Sequence, residues 1–294
     1  MSRYLSDRAT GALLVAGACL CWSSGGILVR LLDVQGAAVV FWRSLFMAVA
    51  VALGLVAVHR RRAFRLVLAV GWPGVLSGLL LALAFLGYIL SLTHTQVANT
   101  LVLMSASPLV AALLARLLLQ ERLDRTTVLA IGVAMLGIAV MFGHGIAAGS
   151  LVGDGFALLV ALSFGANIVV LRRWRGIDMV PATMLGGLFS AIATLPWAVA
   201  APVSMGDLAL LATLGCFQLA FGLTLFVRGS RRLGAAELGL LTLLETVLAP
   251  LWVWIGVGET PGLPALLGGA LVLTSVIAAT FAPRAPCDAP RPGE

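Results

Sequence analysis

Apolar residues fill this chain in long, nearly unbroken runs. A membrane core about 30 Å thick needs roughly 20 consecutive apolar residues per helix. The chain divides into ten runs near that length at its arginine clusters and its glycine and proline breaks. We therefore predict an all-α integral membrane protein with ten transmembrane helices, numbered spans 1 to 10. Their predicted ranges are 11–32, 36–58, 70–92, 95–118, 126–142, 152–171, 180–201, 206–227, 234–256 and 262–281.

The composition supports a lipid environment. The chain is 61% hydrophobic and only 11% charged, with a mean hydropathy of +1.09, whereas soluble proteins are about 25% charged. This excludes an ordinary soluble enzyme, a disordered chain and a disulfide scaffold. The first apolar run is longer than the core of a cleaved signal peptide, so we interpret it as a retained helix. The four cysteines lack the spacing of metal ligands.

The positive charges predict the orientation. All 19 basic residues are arginines, and by the ten-span assignment all but Arg30 and Arg43 lie on one side of the membrane. Because positively charged loops stay in the cytoplasm, we expect both termini there, in a bacterial inner membrane. The net charge of +7 does not indicate nucleic-acid binding, since the arginines form short separate clusters and not one basic face.

The chain contains an internal repeat, because spans 4 and 5 recur in spans 9 and 10 about 138 residues later. This predicts two repeats of five helices, at 1–142 and 143–282, followed by a disordered cytoplasmic tail at 283–294. The aligned segments are 96–101 with 234–239, Ser107-Pro108 with Glu245-Thr246, 119–123 with 257–261 and, more weakly at an offset of 142, 21–25 with 163–167.

An odd number of spans per repeat turns the second copy upside down in the membrane. Two similar halves that face opposite ways can exchange conformations, so that a site between them opens first to one side and then to the other. This architecture therefore predicts a transporter with its site between the halves.

Several motifs resemble those of the drug/metabolite transporter superfamily, specifically its ten-span exporters built from two copies of the EamA domain. They are Phe85-Leu86-Gly87-Tyr88, Ala98-Asn99-Thr100, Ser107-Pro108-Leu109 and the turns Leu119-Gln120-Glu121 and Val257-Gly258-Glu259. The resemblance covers nearly the whole chain and is greatest to bacterial amino-acid and metabolite exporters, including those of aromatic amino acids. It implies efflux of small zwitterions or amphipathic compounds.

Two residues with charged side chains, Arg43 and Glu245, lie well away from the ends of their predicted spans, where a charge costs about 3 kcal/mol and should face a cavity or a partner. Glu245, in the middle of span 9, could receive a substrate ammonium or a coupling proton, or it could make a structural hydrogen bond. Arg43, in span 2, could bind a substrate carboxylate. Its position favours a structural role in which the side chain snorkels to the membrane surface.

Irregular positions in spans 1 and 6 suggest a central binding site. Trp22, Ser23 and Ser24 precede paired glycines in span 1, and Phe164 and Asn167 occupy the matching region of span 6. Matching irregularities in inverted repeats indicate where a substrate binds, although close helix packing would explain each residue alone. Gln218, in span 8, is a further polar candidate, with an interhelical hydrogen bond as the alternative.

Four residues are candidates for gates. Tyr88 and Asn99 lie near the outer ends of spans 3 and 4, and their counterparts 138 residues later are Phe226 and Glu237. We predict an outer gate from the first pair, whose two residues are also candidates for substrate binding, and an inner gate from the second. Glu121 and Glu259 follow spans 4 and 9 and are interpreted as caps or salt-bridge partners.

Other functions remain as alternatives. The same cavity would suit broad-specificity efflux of drugs or cations. A membrane-embedded enzyme or a channel is disfavoured, because the chain shows no nucleophile with its base, no metal-binding motif and no ring of charges. The expected partners are a small-molecule substrate and membrane lipid, without a cofactor or nucleic acid, and the chain is expected to be a monomer or weak homodimer.

Overall fold

The computed structural model describes residues 2–34, 36–95, 97–121, 124–143, 150–198, 202–257 and 262–281. These residues form helices and no strand, which confirms the all-α fold. The predicted tail at 283–294 lies outside them, as does Glu259. The helices are α1 (Ser2–Ser23), α2 (Gly25–Arg30), α3 (Ala37–His59), α4 (Ala63–Ala69), α5 (Gly71–His94), α6 (Val97–Met104), α7 (Ser107–Leu118), α8 (Arg125–Phe142), α9 (Leu151–Arg173), α10 (Val180–Ala198), α11 (Met205–Thr213), α12 (Gly222–Ser230), α13 (Ala235–Thr242), α14 (Leu244–Val257) and α15 (Leu263–Phe281).

Each predicted span corresponds to one helix or to two consecutive helices. Eight stretches of described residues are long and apolar enough to cross a membrane, and α8 is apolar but shorter. The helix of span 1 begins at Ser2, earlier than predicted, and α4 is a short helix between spans 2 and 3 that was not predicted. Span 1 consists of α1 and α2, span 2 of α3, span 3 of α5, span 4 of α6 and α7, and span 5 of α8. Span 6 is α9, span 7 is α10, span 8 runs from α11 to α12, span 9 consists of α13 and α14, and span 10 is α15.

The packing of the spans has approximate twofold symmetry. Spans 2 and 7, 4 and 9, and 5 and 10 pack against each other, and each pair maps onto itself when the two repeats are exchanged. Exchanging the repeats also converts the contact between spans 3 and 6 into the contact between spans 8 and 1. In the same way, the contact between spans 3 and 7 corresponds to the contact between spans 8 and 2. All of these contacts join one repeat to the other, so the repeats interlock and do not form separate lobes.

Glycines allow the closest of these crossings. A Cβ atom on Gly78 of α5 would lie 2.9 Å from Leu185 of α10, and a Cβ atom on Gly215 of span 8 would lie 2.6 Å from the carbonyl oxygen of Arg43. Any side chain at either position would collide with the neighbouring helix, as is typical of small residues at membrane helix interfaces. The two glycines occupy equivalent crossings in the two repeats.

Two equivalent spans are broken in the middle. Span 4 is interrupted at Ser105 and Ala106, just before Pro108, and span 9 is interrupted at Leu243, which is 138 residues after Ser105. The similarity between the sequences of spans 1 and 6 does not extend to a helix break. Span 1 breaks at Ser24, but α9 is continuous, and its Gly165 packs closely against the Ser107 carbonyl oxygen of α7.

Candidate functional site

A cluster of polar side chains lies inside the bundle near the break in span 9. Glu245 is in the first turn of α14, where the partial positive charge of a helix N-terminus favours a carboxylate. Tyr88 of α5 lies within electrostatic range of both Glu245 and Arg43. We call Arg43, Tyr88 and Glu245 the polar cluster. It combines both signs of charge and both repeats of the chain.

Arg43 does not snorkel to the membrane surface. Its residue is only 4% exposed, and its guanidinium lies over the ring of Phe85, with the central carbon 5.9 Å from the ring centroid. A cation gains favourable energy over an aromatic face away from water, which helps to explain why the side chain stays inside. Its Nε has no hydrogen-bond partner among the described residues.

The side chain of Glu245 also lacks a partner among the described residues. Within the part of the chain that the structure describes, its carboxylate makes neither an ion pair nor a hydrogen bond. The thiol of Cys19, on α1, lies beside it. Arg43 is buried and Glu245 is half-buried. A polar group shielded from water without a partner is costly, so both residues are suited to receive a charged ligand.

Three aromatic rings from three spans form a second group. The ring centroids of Trp22 and Phe226 are 5.2 Å apart, those of Phe164 and Phe226 are 5.5 Å apart, and those of Trp22 and Phe164 are 6.0 Å apart. We call these residues the aromatic cluster. The structure thus brings together the predicted residues of spans 1 and 6 and adds the predicted gate residue Phe226, which is fully buried.

The helical segment that contains Gln218 connects the aromatic cluster with span 2. Gln218 lies in a π-helical segment of span 8, Leu214–Phe221, a form of helix that often marks functional positions. Its amide nitrogen donates to the carbonyl oxygen of Trp22 at 3.3 Å, and Gly215 of the same segment packs against the backbone of Arg43. The Oε1 atom of Gln218 and the indole nitrogen of Trp22 are buried without described partners.

The two predicted serines donate hydrogen bonds to backbone carbonyl oxygens next to the break in span 1. Ser24 donates to the Cys21 carbonyl oxygen at 2.7 Å, and Ser23 donates to that of Leu20 at 2.9 Å. Ser23 also accepts a hydrogen bond of 2.8 Å from the indole nitrogen of Trp252. Trp252 was not predicted as a site residue, and no spacing in the sequence distinguished it from the other tryptophans.

The two predicted asparagines bind other parts of the protein. The amide oxygen of Asn167 accepts a hydrogen bond of 2.6 Å from Ser77, which joins spans 6 and 3. Asn99 donates to Thr95 and to Asp154 at 3.3 and 3.4 Å, at the ends of spans 3, 4 and 6. Asn99 is therefore placed at the end of the bundle with Thr95 and Asp154, whereas Tyr88 belongs to the polar cluster.

Two ion pairs connect the repeats at one end of the bundle. We call this end, which carries Arg60–Arg62, Arg172 and Arg228, the Arg-rich end. Glu237 pairs with Arg8 at 2.8 Å, and Arg8 also donates to the Ala279 carbonyl oxygen at 3.0 Å. Glu121 pairs with Arg172 at 2.6 Å, as its interpretation as a salt-bridge partner requires. Each pair joins one residue from the first repeat to one from the second.

The described residues contain no group of three or more histidine, cysteine, aspartate or glutamate side chains that could hold a metal ion. The arrangement offers charge recognition in the polar cluster and a group of largely buried rings in the aromatic cluster. Sequence reasoning missed Phe85 and Arg8 as partners of predicted residues, because each acts through a contact between distant spans. Such contacts leave no local pattern.

Comparisons with known proteins agree with this architecture. The profile of the EamA-like transporter family matches twice, at residues 9–143 and 151–281. The uncharacterized transporter YdfC of Bacillus subtilis (strain 168) is 30% identical over 188 residues, a region that spans 59% of each chain. A solved structure titled only as the crystal structure of a protein is 19% identical, with a TM-score of 0.80 over 92% of this chain and 96% of that one.

Proposed function

Because this chain belongs to the EamA-like transporter family, we propose that it is an alternating-access exporter of amino acids, with aromatic or hydrophobic side chains, or of related small zwitterions. We place it in a bacterial inner membrane with the Arg-rich end in the cytoplasm. This orientation rests on the distribution of arginines, which favours the cytoplasmic side.

The proposal depends on one observation about charge. Arg43 and Glu245 carry opposite charges and belong to different repeats; Arg43 is buried, Glu245 is half-buried, and Tyr88 lies within electrostatic range of both. A substrate carboxylate would accept hydrogen bonds from the guanidinium, and a substrate ammonium would donate to the Glu245 carboxylate. A zwitterion would thereby satisfy both groups at once, which neither an anion nor a cation can do.

The aromatic cluster supports an apolar portion on the substrate. Offset or tilted aromatic rings bind another ring favourably, and the π-helical segment containing Gln218 connects the aromatic cluster with the backbone of Arg43. Broad-specificity cation efflux is the alternative, since Glu245 alone would attract a cation. The buried positive charge of Arg43 disfavours it, because Arg43 would repel a substrate without a carboxylate.

The test compares three probes in proteoliposomes: phenylalanine, phenethylamine, which lacks the carboxylate, and phenylpropionate, which lacks the ammonium. We expect the wild type to transport phenylalanine best. Arg43→Gln should reduce phenylalanine transport at least tenfold and leave any phenethylamine transport unchanged or increased. Glu245→Gln should reduce phenylalanine transport similarly and spare phenylpropionate. Arg125→Gln, which removes an exposed charge, is the control and should behave like the wild type.

Each contrary result has a distinct meaning. Preferred transport of phenethylamine that survives Arg43→Gln would support cation efflux. Equal loss of all three probes in both variants, with normal amounts of folded protein in the membrane, would mean that the polar cluster is structural and that the proposed binding mode is wrong.

A further inference from the structure

A groove on the outside of the bundle has no role in the transport mechanism proposed above. Spans 2 and 8 are in closest contact where Gly215 meets the backbone of Arg43 and Met47. Beyond this crossing, toward the Arg-rich end, a cavity of about 280 Å³ opens between the two spans. It shares Val58 and His59 with an adjoining depression around Arg60–Arg62. The two spaces therefore form one continuous surface.

The part of the groove nearer the membrane centre is apolar. A Cβ atom on Gly54 would have no other atom within 4 Å, so the missing side chain leaves open space along α3. Across the groove, Phe221 is half exposed and stacks on Phe217 with their centroids 6.0 Å apart. Further apolar lining residues are Ala50, Val51, Leu55, Val180 and Ala220.

The part nearer the membrane surface is positively charged. Arg228 and His59 line the mouth of the groove, and Arg60, Arg61 and Arg62 line the adjoining depression; all four arginines are exposed. Asp178 is the acidic residue among the described lining residues. Its carboxylate accepts the backbone N–H of Val180 at 3.1 Å and caps α10. The other titratable lining residue is the Cys216 thiol.

We propose that this groove binds one anionic phospholipid of the leaflet that faces the Arg-rich end. An acyl chain would lie along Gly54 and Phe221, and the phosphate would bind Arg228 and the Arg60–Arg62 turn. Basic pockets between helices at the cytoplasmic side are known to hold anionic headgroups, and arginine binds phosphate through paired hydrogen bonds. The apolar groove favours a lipid over a free phosphate, because only a lipid fills both parts.

The headgroup contact is tested by charge variants of equal size. The full-length protein is placed in nanodiscs of phosphatidylcholine, with or without phosphatidylglycerol. We expect phosphatidylglycerol to raise the midpoint of thermal unfolding by about 3–5 °C, and native mass spectrometry to detect one retained lipid. R60Q/R61Q/R62Q/R228Q should lose the shift and the lipid. The control R116Q/R125Q/R173Q/R175Q removes four other exposed arginines and should keep both.

The acyl-chain contact is tested by filling the groove. Gly54→Leu should prevent lipid retention, whereas Gly132→Leu, at another glycine with open space around it, should not. Soluble glycerol phosphate should produce no shift, and a shift with it would assign the site to free phosphate. Equal loss in both arginine variants would reduce the effect to diffuse surface charge. Unchanged retention in Gly54→Leu would also overturn the proposal, since this variant leaves every charge in place.

Discussion

Helices α6 and α13 occupy equivalent positions in the two repeats, yet their surroundings differ. Every residue of α13 is buried, whereas residues 101–104 of α6 are only partly buried. The bundle is thus packed more tightly around α13, at the Arg-rich end, than around α6 at the opposite end. In the alternating-access mechanism that we propose, the two ends of an inverted repeat open in turn. We therefore interpret this difference in packing as a conformation that is closed at the Arg-rich end.

Two features explain why α13 is held more tightly. Gly239 lets α13 approach Pro108 of α7, where a Cβ atom would lie 2.8 Å from the Pro108 Cα. At the equivalent crossing of the other repeat, Leu101 corresponds to Gly239 and Thr246 corresponds to Pro108. Only one of the two crossings therefore has this glycine. The ion pair of Arg8 with Glu237 also lies at the Arg-rich end. Both features favour closure of that end.

The largest expected effect comes from breaking the pair of Arg8 with Glu237. Their side chains are only 12% and 3% exposed, and removing one partner of a buried pair costs roughly 3 kcal/mol. We expect Glu237→Gln to destabilise closure of the Arg-rich end. The double variant Arg8→Gln/Glu237→Gln should recover much of the loss, because it leaves no unpaired charge.

Labelling of introduced cysteines by a membrane-impermeant thiol reagent measures this effect in a background without native cysteines. Val102 and Leu240 are equivalent positions, the first half exposed and the second buried. Cysteine at 102 should be labelled at least tenfold faster than cysteine at 240. Glu237→Gln should reduce this ratio. An unchanged ratio would show that the ion pair does not control the closed end.

A smaller effect is expected from Gly239→Ala. The added methyl group would collide with the Pro108 backbone, and overpacking of this kind costs about 1–3 kcal/mol, although alanine is the better helix former by about 1 kcal/mol. Gly132→Ala is the matched control because nothing lies within 4 Å of its Cβ position. Thermal unfolding in detergent should show a lower midpoint for Gly239→Ala and an unchanged or higher one for Gly132→Ala. The reverse order would mean that this crossing is not tightly packed.

Much of the fold could be predicted from the sequence, because in a membrane the length of an apolar run fixes a helix. The offset of 138 residues also predicts the equivalence of the breaks near Ser105 and at Leu243. The α4 helix was missed because it continues the apolar run of span 2 after three arginines. The packing role of Gly165 in α9 could not be predicted, because it depends on Ser107 of another span.

The candidate site was less predictable, since its geometry depends on contacts between spans. A charged residue inside an apolar run is visible in the sequence, so Glu245 and Arg43 could be selected. Their common neighbour Tyr88 was predicted both as a substrate-binding residue and as a gate with Asn99, because position along a helix does not reveal which face points inward. The role of each remaining residue is a prediction for the transport experiments.

The smallest effect is expected at the second ion pair of the Arg-rich end. Glu121 and Arg172 are 28% and 20% exposed in their side chains, and pairs this accessible to solvent contribute at most about 1 kcal/mol. Glu121→Gln should therefore change the labelling ratio of positions 102 and 240 much less than Glu237→Gln does, and high salt should remove most of the remaining difference. If Glu121→Gln has the larger effect, closure of the Arg-rich end depends on the contact between spans 4 and 6, and the burial of α13 is its consequence instead of its cause.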